Sequence, residues 1–192
     1  MKKNILFLLM ALYLSSCGIQ SIPKAVNEVE AAWAEVLNQY KRRADLIPNL
    51  VNVVKGYAKH EKETLAAVIE ARSKATSTNI NVEDLSPATM QKFQQAQSGL
   101  SSALSRLMVV VEKYPDLKAN ENFRDLQSQL EGTENRITIA RRRFIETIKL
   151  FNNLVTVPPT SWVNSLFYHH NKKPQFTVEN EEAVKETPKV EF

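Results

Sequence analysis

The chain has 192 residues, 25 of them basic and 21 acidic, with only 4 glycines and a single cysteine. This length holds one domain with its own core, the scarcity of glycine disfavours a fold built on tight hairpins, and a lone cysteine excludes both a disulfide framework and a Cys-based zinc site. Lys2 and Lys3 belong to the export signal read below, so from Cys17 onward the 25 basic residues become 23 against 21 acidic ones. A balance so near neutrality gives no pull on a polyanion, and nucleic acid is not an expected partner.

The N-terminus reads as basic residues, then ten apolar residues from Ile5 to Leu14, then Ser15 and Ser16 before Cys17, the order of a secretory signal. As a helix, ten residues rise about 15 Å against a hydrocarbon core of about 30 Å, too short to span comfortably. Leu14-Ser15-Ser16-Cys17 resembles the lipobox of bacterial lipoproteins, with cleavage between Ser16 and Cys17 and acylation of Cys17. The expected partition is a signal peptide at 1–16, a lipidated tether at 17–23, a helical bundle at 24–170 and a disordered tail at 171–192. The alternative anchor is an uncleaved single-pass helix.

Behind the tether, Trp33, Leu37, Tyr40, Ala44, Ile47, Val51, Val54, Ala58, Glu61, Leu65 and Val68 alternate steps of four and three. This heptad seam is widened by Val36, Leu50, Tyr57 and Ile69 into a core-facing stripe. Pro48 removes one backbone hydrogen bond while the seam keeps phase around it, which predicts a kink near Asp45 to Pro48. Ser86-Pro87 supplies an N-cap followed by proline at the first helical position. The helix it starts carries Met90, Phe93, Gln97, Leu100, Leu104, Leu107 and Val111, and Tyr114-Pro115 ends it. Asn120 is the candidate cap of a further helix bearing Phe123, Leu126, Leu130, Thr133, Ile137, Ala140, Phe144, Thr147, Phe151 and Leu154, stopped by Pro158-Pro159. The fold class is therefore all-α, an elongated antiparallel up-and-down bundle of three long helices, the first kinked and able to count as two. A short helix around Thr160 to Tyr168 is expected to cap one end, because Trp162, Val163 and Leu166 need cover.

Three stretches carry a family resemblance: Lys41-Arg42-Arg43-Ala44-Asp45-Leu46-Ile47-Pro48-Asn49-Leu50-Val51 with its continuation to Glu61, Tyr114-Pro115-Asp116-Leu117-Lys118-Ala119-Asn120, and Glu131-Gly132-Thr133-Glu134-Asn135-Arg136. Together they resemble the LemA family over Val26 to about Pro174. The resemblance implies an antiparallel helical bundle outside the bacterial cytoplasmic membrane or in the envelope, behind an N-terminal hydrophobic segment, and no known reaction. The lipobox-like sequence stands where many members have a membrane helix, and Phe167-Tyr168-His169-His170 replaces a usual Gly-Phe.

Glu61 is the one charged residue within the seam from Trp33 to Val68, and a buried carboxylate needs a partner. With hairpins folding about residues ~81 and ~117, antiparallel pairing brings Gln97, Thr133, Glu134 and Arg136 level with His60 and Glu61. Gly99 and Gly132 would allow close helix approach there. Such a layer serves either as a register-fixing network or as a site for a small ligand, ion or proton. His60-Glu61 resembles the start of a zincin helix, but Thr64 stands where the second histidine belongs, and the adjacent pair His169 and His170 lies on another element, so no metal is expected. Lys41-Arg42-Arg43 and Arg141-Arg142-Arg143 spread around their helices at about 100° per residue, which favours intra-bundle pairs over a nucleic-acid face.

These readings converge on a membrane-anchored envelope lipoprotein with its bundle on the outer side of the cytoplasmic membrane. Its expected work is that of a non-catalytic helical scaffold or adaptor. The expected partners are the lipid bilayer, through acylated Cys17, and another envelope protein; no cofactor and no catalytic residue are assigned. The alternative is a ligand-binding sensor or an enzyme using the Glu61 layer.

Overall fold

The computed structural model describes residues 19–78 and 80–176. Its long helices are α1 (Ser21–Tyr57), α2 (Lys62–Ser77), α3 (Pro87–Val111) and α5 (Glu121–Thr156). Shorter pieces are a 3-10 turn (Val82–Asp84), α4 (Pro115–Ala119), α6 (Thr160–Val163) and a π turn (Asn164–Tyr168). The signal peptide, Ser16, Cys17 and residues 177–192 lie outside the described residues. Among those described there is no strand, and no helix is long and apolar enough to cross a membrane.

The first seam divides at a place its spacing conceals. α1 is assigned as helix continuously through Pro48, and the break expected at Asp45 to Pro48 falls at Ala58 to Glu61. Ala58 leaves the helical region with φ −113 and ψ 59, and Glu61 N–H donates to the Ala58 carbonyl at 3.1 Å. The chain then reverses, and α2 returns antiparallel along α1. Because Ala58, Glu61 and Leu65 are spaced by three and four, the turn leaves the heptad phase intact. Among the described residues the bundle thus has four long helices, the first stripe counting as two and dividing at Ala58 to Glu61 instead of Pro48.

The reversal also accounts for the proline. Without an N–H, Pro48 leaves the Ala44 carbonyl, four residues earlier, with no intrahelical donor. Arg72 on α2 supplies one, its Nε donating to the Ala44 oxygen at 2.8 Å. One guanidinium therefore repairs the helix and fixes α2 against it.

The remaining starts follow the sequence closely. Ser86 accepts from Thr89 N–H while Thr89 returns a bond to the Ser86 backbone, a capping box with Pro87 at the first position, and Asn120 accepts from Phe123 N–H to cap α5. α1 and α5 lie antiparallel along their lengths. Asn120 donates to the Tyr57 hydroxyl at 3.0 Å near one end of the pair.

Two apolar cores result. One holds Trp33, Val36, Tyr40, Phe93, Phe144 and Phe151; the other holds Ile47, Leu50, Val54, Val68, Leu100, Leu107 and Phe123. The Trp33 indole donates to the Ile80 carbonyl at 2.9 Å, joining the α2–α3 connection to the first core.

Several expectations need correction. Ser21 to Pro23, expected in the tether, are already helical. Residues 171–176, expected in a disordered tail, pack on the bundle: Asn152 and Lys173 exchange a side-chain to backbone pair at 2.9 and 3.0 Å, and Phe176 is buried against Trp33 and Phe144. A Cβ at Gly99 or Gly132 would meet nothing within 4 Å, so neither glycine marks a close approach. The short helix at Thr160 is present and runs into the π turn, yet Trp162 on the helix and Leu166 on the turn remain uncovered.

Candidate functional site

A polar layer separates the two cores, but its charged centre is Arg43. The position obeys the seam: Val36, Tyr40, Arg43, Ile47, Leu50 and Val54 alternate steps of four and three and all are buried. A guanidinium placed there must find acceptors from the neighbouring helices. Nη1 donates to Glu134 Oε1 at 2.8 Å and to Ser101 Oγ at 3.0 Å. Nη2 donates to Gln97 Oε1 at 2.6 Å and to the Gln97 carbonyl at 3.3 Å. Gln97 Nε2 in turn donates to the Ala75 carbonyl at 3.2 Å. The layer therefore ties together α1, α2, α3 and α5.

The guanidinium also lies 5.1 Å from the centroid of the Tyr40 ring, a cation–π contact. Burial pushes the Tyr40 phenol above its ordinary pKa, while Arg141 and Arg43 pull it the other way. Tyr40 accordingly stays neutral at physiological pH.

Gln97 and Glu134 meet in the layer, each bonded to Arg43 and neither to Glu61. Thr133 is fully buried but donates to Gln129 of its own helix at 2.7 Å. His60, Glu61 and Arg136 do not belong to it. The hairpin at Ala58 puts His60, exposed, and Glu61 at the far end of the bundle, where Glu61 accepts from the Tyr114 hydroxyl at 3.2 Å. Arg136 is exposed on a different face of α5 and lines a separate groove with Glu28, Glu35 and Arg143. The reading of Glu61 as centre of the layer is thus overturned, because α1 contributes residue 43 at this level. The missed signal was local: of the basic triplet that spreads around α1, Arg43 is the member that falls on the buried stripe.

Beside the layer, α1, α3 and α5 enclose a half-open cleft of ≈ 520 Å³, whose lining includes Tyr40, Arg43, Gln97, Glu134, Arg141 and Phe176. Arg43 Nε is buried without a hydrogen-bond partner, and the Arg141 guanidinium stands over the Phe176 ring at 4.5 Å. The cleft therefore has more positive than negative charge, and its carboxylate is engaged by Arg43. Among the described residues, no three His, Cys, Asp or Glu side chains converge as a metal site.

The sequence pattern of the LemA family matches residues 32–192, a span that includes every member of the layer. The chain belongs to the LemA family. Among curated relatives, it is 28% identical over 138 residues to Protein LemA of Metamycoplasma hominis, a match covering 72% of this chain and 58% of that protein. It is also 29% identical over 68 residues to Magnetosome protein MamQ of Magnetospirillum gryphiswaldense, covering 35% of this chain and 25% of the relative. Both alignments span less than two thirds of the relative's length. LemA is not a known enzyme family, and within this LemA-type bundle Gln97, Ser101 and Glu134 each accept a hydrogen bond from Arg43.

Proposed function

We propose that this LemA-family chain is a lipid-anchored, non-catalytic helical adaptor of the bacterial envelope, holding another envelope protein near the membrane. The observation that carries the reading is the use of the Arg43 guanidinium: its bonds to Glu134, Ser101 and Gln97 hold helices in register. This is an arrangement suited to a rigid body. A reacting centre would instead need a nucleophile and base poised toward open space.

The anchor reading draws support from the sequence before the bundle. Cleavage in front of Cys17 leaves four residues, 17–20, ahead of α1. One acyl chain holds a protein only marginally and two hold it stably, so a doubly or triply acylated Cys17 would keep the bundle at the surface. A retained apolar segment would place the same bundle on the same side. The inner or outer membrane of a two-membrane cell is a matter of sorting, and Gly18 after the cysteine is compatible with the outer one.

Crosslinking in living cells, followed by affinity capture from the membrane fraction and mass spectrometry, tests the proposal by comparing wild type with Cys17→Ala. The expected result is a reproducible partner recovered only when the tether is intact. Extensive crosslinking that returns no reproducible protein overturns the adaptor reading. The cleft beside Arg43 and Arg141 then becomes the surface to probe with phosphate and small carboxylates.

A further inference from the structure

Large apolar side chains gathered in water mark a surface that meets something apolar. Trp162 and Leu166 are each 70% exposed and Phe167 is 61% exposed. All three lie on α6 and the π turn that follows it, with Trp162 and Leu166 about one turn apart. Exposed Val157 precedes them at the end of α5. The element that presents them is firmly built: buried Asn164 donates to the His170 carbonyl at 2.9 Å and accepts from His170 N–H at 3.0 Å.

The position of this patch identifies what covers it. The Tyr168 hydroxyl donates to the carbonyl of Ile19, itself an exposed apolar residue, at 2.9 Å. Cys17 stands two residues before Ile19, so the cysteine can lie no further than about 7 Å of extended chain from it. The uncleaved alternative puts the near end of the apolar run, Leu14, within about 18 Å of extended chain from Ile19. Charge agrees with position. From Cys17 to Asn27 and from Thr147 to Phe176 there is no Asp or Glu, while the exposed Lys24, Lys149 and Lys172 fall within those segments; Lys173 is turned inward onto the Val82 carbonyl. Basic residues near a bilayer are drawn to anionic headgroups, and tryptophan favours the lipid–water boundary.

We infer that this end of the bundle is a second membrane contact, with Trp162, Leu166 and Phe167 entering the lipid interface beside the N-terminal anchor. The inference rests on the anchoring reading above and adds an orientation to it. With its end seated on lipid, α1 points away from the membrane and carries Arg43 up to about 33 Å outward, at 1.5 Å per residue from Ser21. The bundle then acts as an upright spacer, and a partner is met at the Ala58 and Tyr114 end.

The test uses the full chain, purified with its anchor and placed in vesicles of phosphatidylethanolamine and phosphatidylglycerol bearing brominated acyl chains. Trp162→Phe leaves Trp33 as the sole indole, and subtracting its emission isolates Trp162. Bromine is expected to quench Trp162 about twofold or more, as for an indole at the lipid interface. Replacing both Leu166 and Phe167 by Glu, at exposed positions that leave the core intact, should abolish most of that quenching while the protein stays on the vesicles. A vesicle-bound protein whose Trp162 is unquenched and open to acrylamide overturns the contact and leaves the anchor standing. Shielding from acrylamide without bromine quenching also overturns it, by identifying protein as the cover, either a second copy or residues 177–192. If mass measurement finds Cys17 unacylated and the apolar segment absent, and the protein washes off, the anchoring reading fails and this inference fails with it.

Discussion

Arg43 keeps 2% of its side chain in contact with solvent, whereas its counter-charge Glu134 keeps 46%, and the difference decides which partner the fold tolerates losing. When the guanidinium is replaced by an apolar chain of similar length, Glu134 can rehydrate where it stands. When the carboxylate is removed, a positive charge remains buried on Tyr40 and Gln97 without its counter-ion. Arg43→Met is therefore expected to cost about 1 kcal/mol and Glu134→Leu about 3 kcal/mol, since breaking a buried pair is worst when the uncompensated charge stays inside. Denaturant midpoints measured on both variants check the ranking, and a reversed order would place the buried charge elsewhere. At this scale much of the site was legible. Gln97 and Thr133 are polar residues at apolar seam positions, a local conflict that a sequence displays directly, whereas Glu134 stands one residue off its seam and meets Arg43 from the half-exposed edge. Arg43 displays the same conflict, but its basic neighbours Lys41 and Arg42, both exposed, obscure it.

At the scale of the helix, Pro48 and Arg72 work as a pair across the α1–α2 hairpin. The proline strands the Ala44 carbonyl and the arginine satisfies it. In the wild-type background, Arg72→Met should cost about 1 to 3 kcal/mol, the penalty for a carbonyl left without a donor. In a Pro48→Ala background the peptide N–H returns to that carbonyl, and the same substitution should cost less than about 1 kcal/mol. A double-mutant cycle by urea unfolding reads the coupling directly; additive costs would mean that Arg72 stabilises α2 for some other reason. The cycle also reports on the hairpin, because a straight helix carried past Ala58 would take residue 72 far from residue 44. Ser86, Pro87 and Asn120 needed no such help to be read. Their capping bonds reach only three residues along the chain, so their meaning is local.

For the whole molecule, the segment after α5 completes what α2 and α3 leave open. α1 and α5 extend past the α2–α3 connection, where Ile80 meets Trp33, and their inner faces need another cover. Residues 164–176 provide it: His170 packs on Phe151 at 5.8 Å, and Phe176 closes on Phe144 at 5.6 Å and Trp33 at 6.2 Å. Phe176→Ala is accordingly expected to lower stability by about 3 kcal/mol, the scale of deleting a buried ring. The same substitution should widen the cleft beside Arg43, which Phe176 lines. Thermal unfolding, with faster amide exchange around Trp33 and Phe144, measures the effect; an unchanged melting temperature would show that this segment contributes nothing to the core.

The sequence by itself determined the all-α class, the starts of α3 and α5 and the apolar stripes with their polar breaks at Gln97 and Thr133, because each depends on spacing or capping within a few residues. The tertiary structure decided where the first stripe reverses, and with it which charge sits in the layer. A turn at Ala58 to Glu61 that advances by three and four residues preserves heptad phase, so its periodicity cannot be told from that of an unbroken helix. Only the packing of α2 back onto α1 makes the difference, placing Arg43 against Gln97 and Glu134 and moving Glu61 to the far end. Cover for the exposed end followed the same rule. Spacing marked Trp162 and Leu166 as apolar side chains in need of a partner, but whether the chain itself supplied one depended on where Phe176 and Asn164 came to rest.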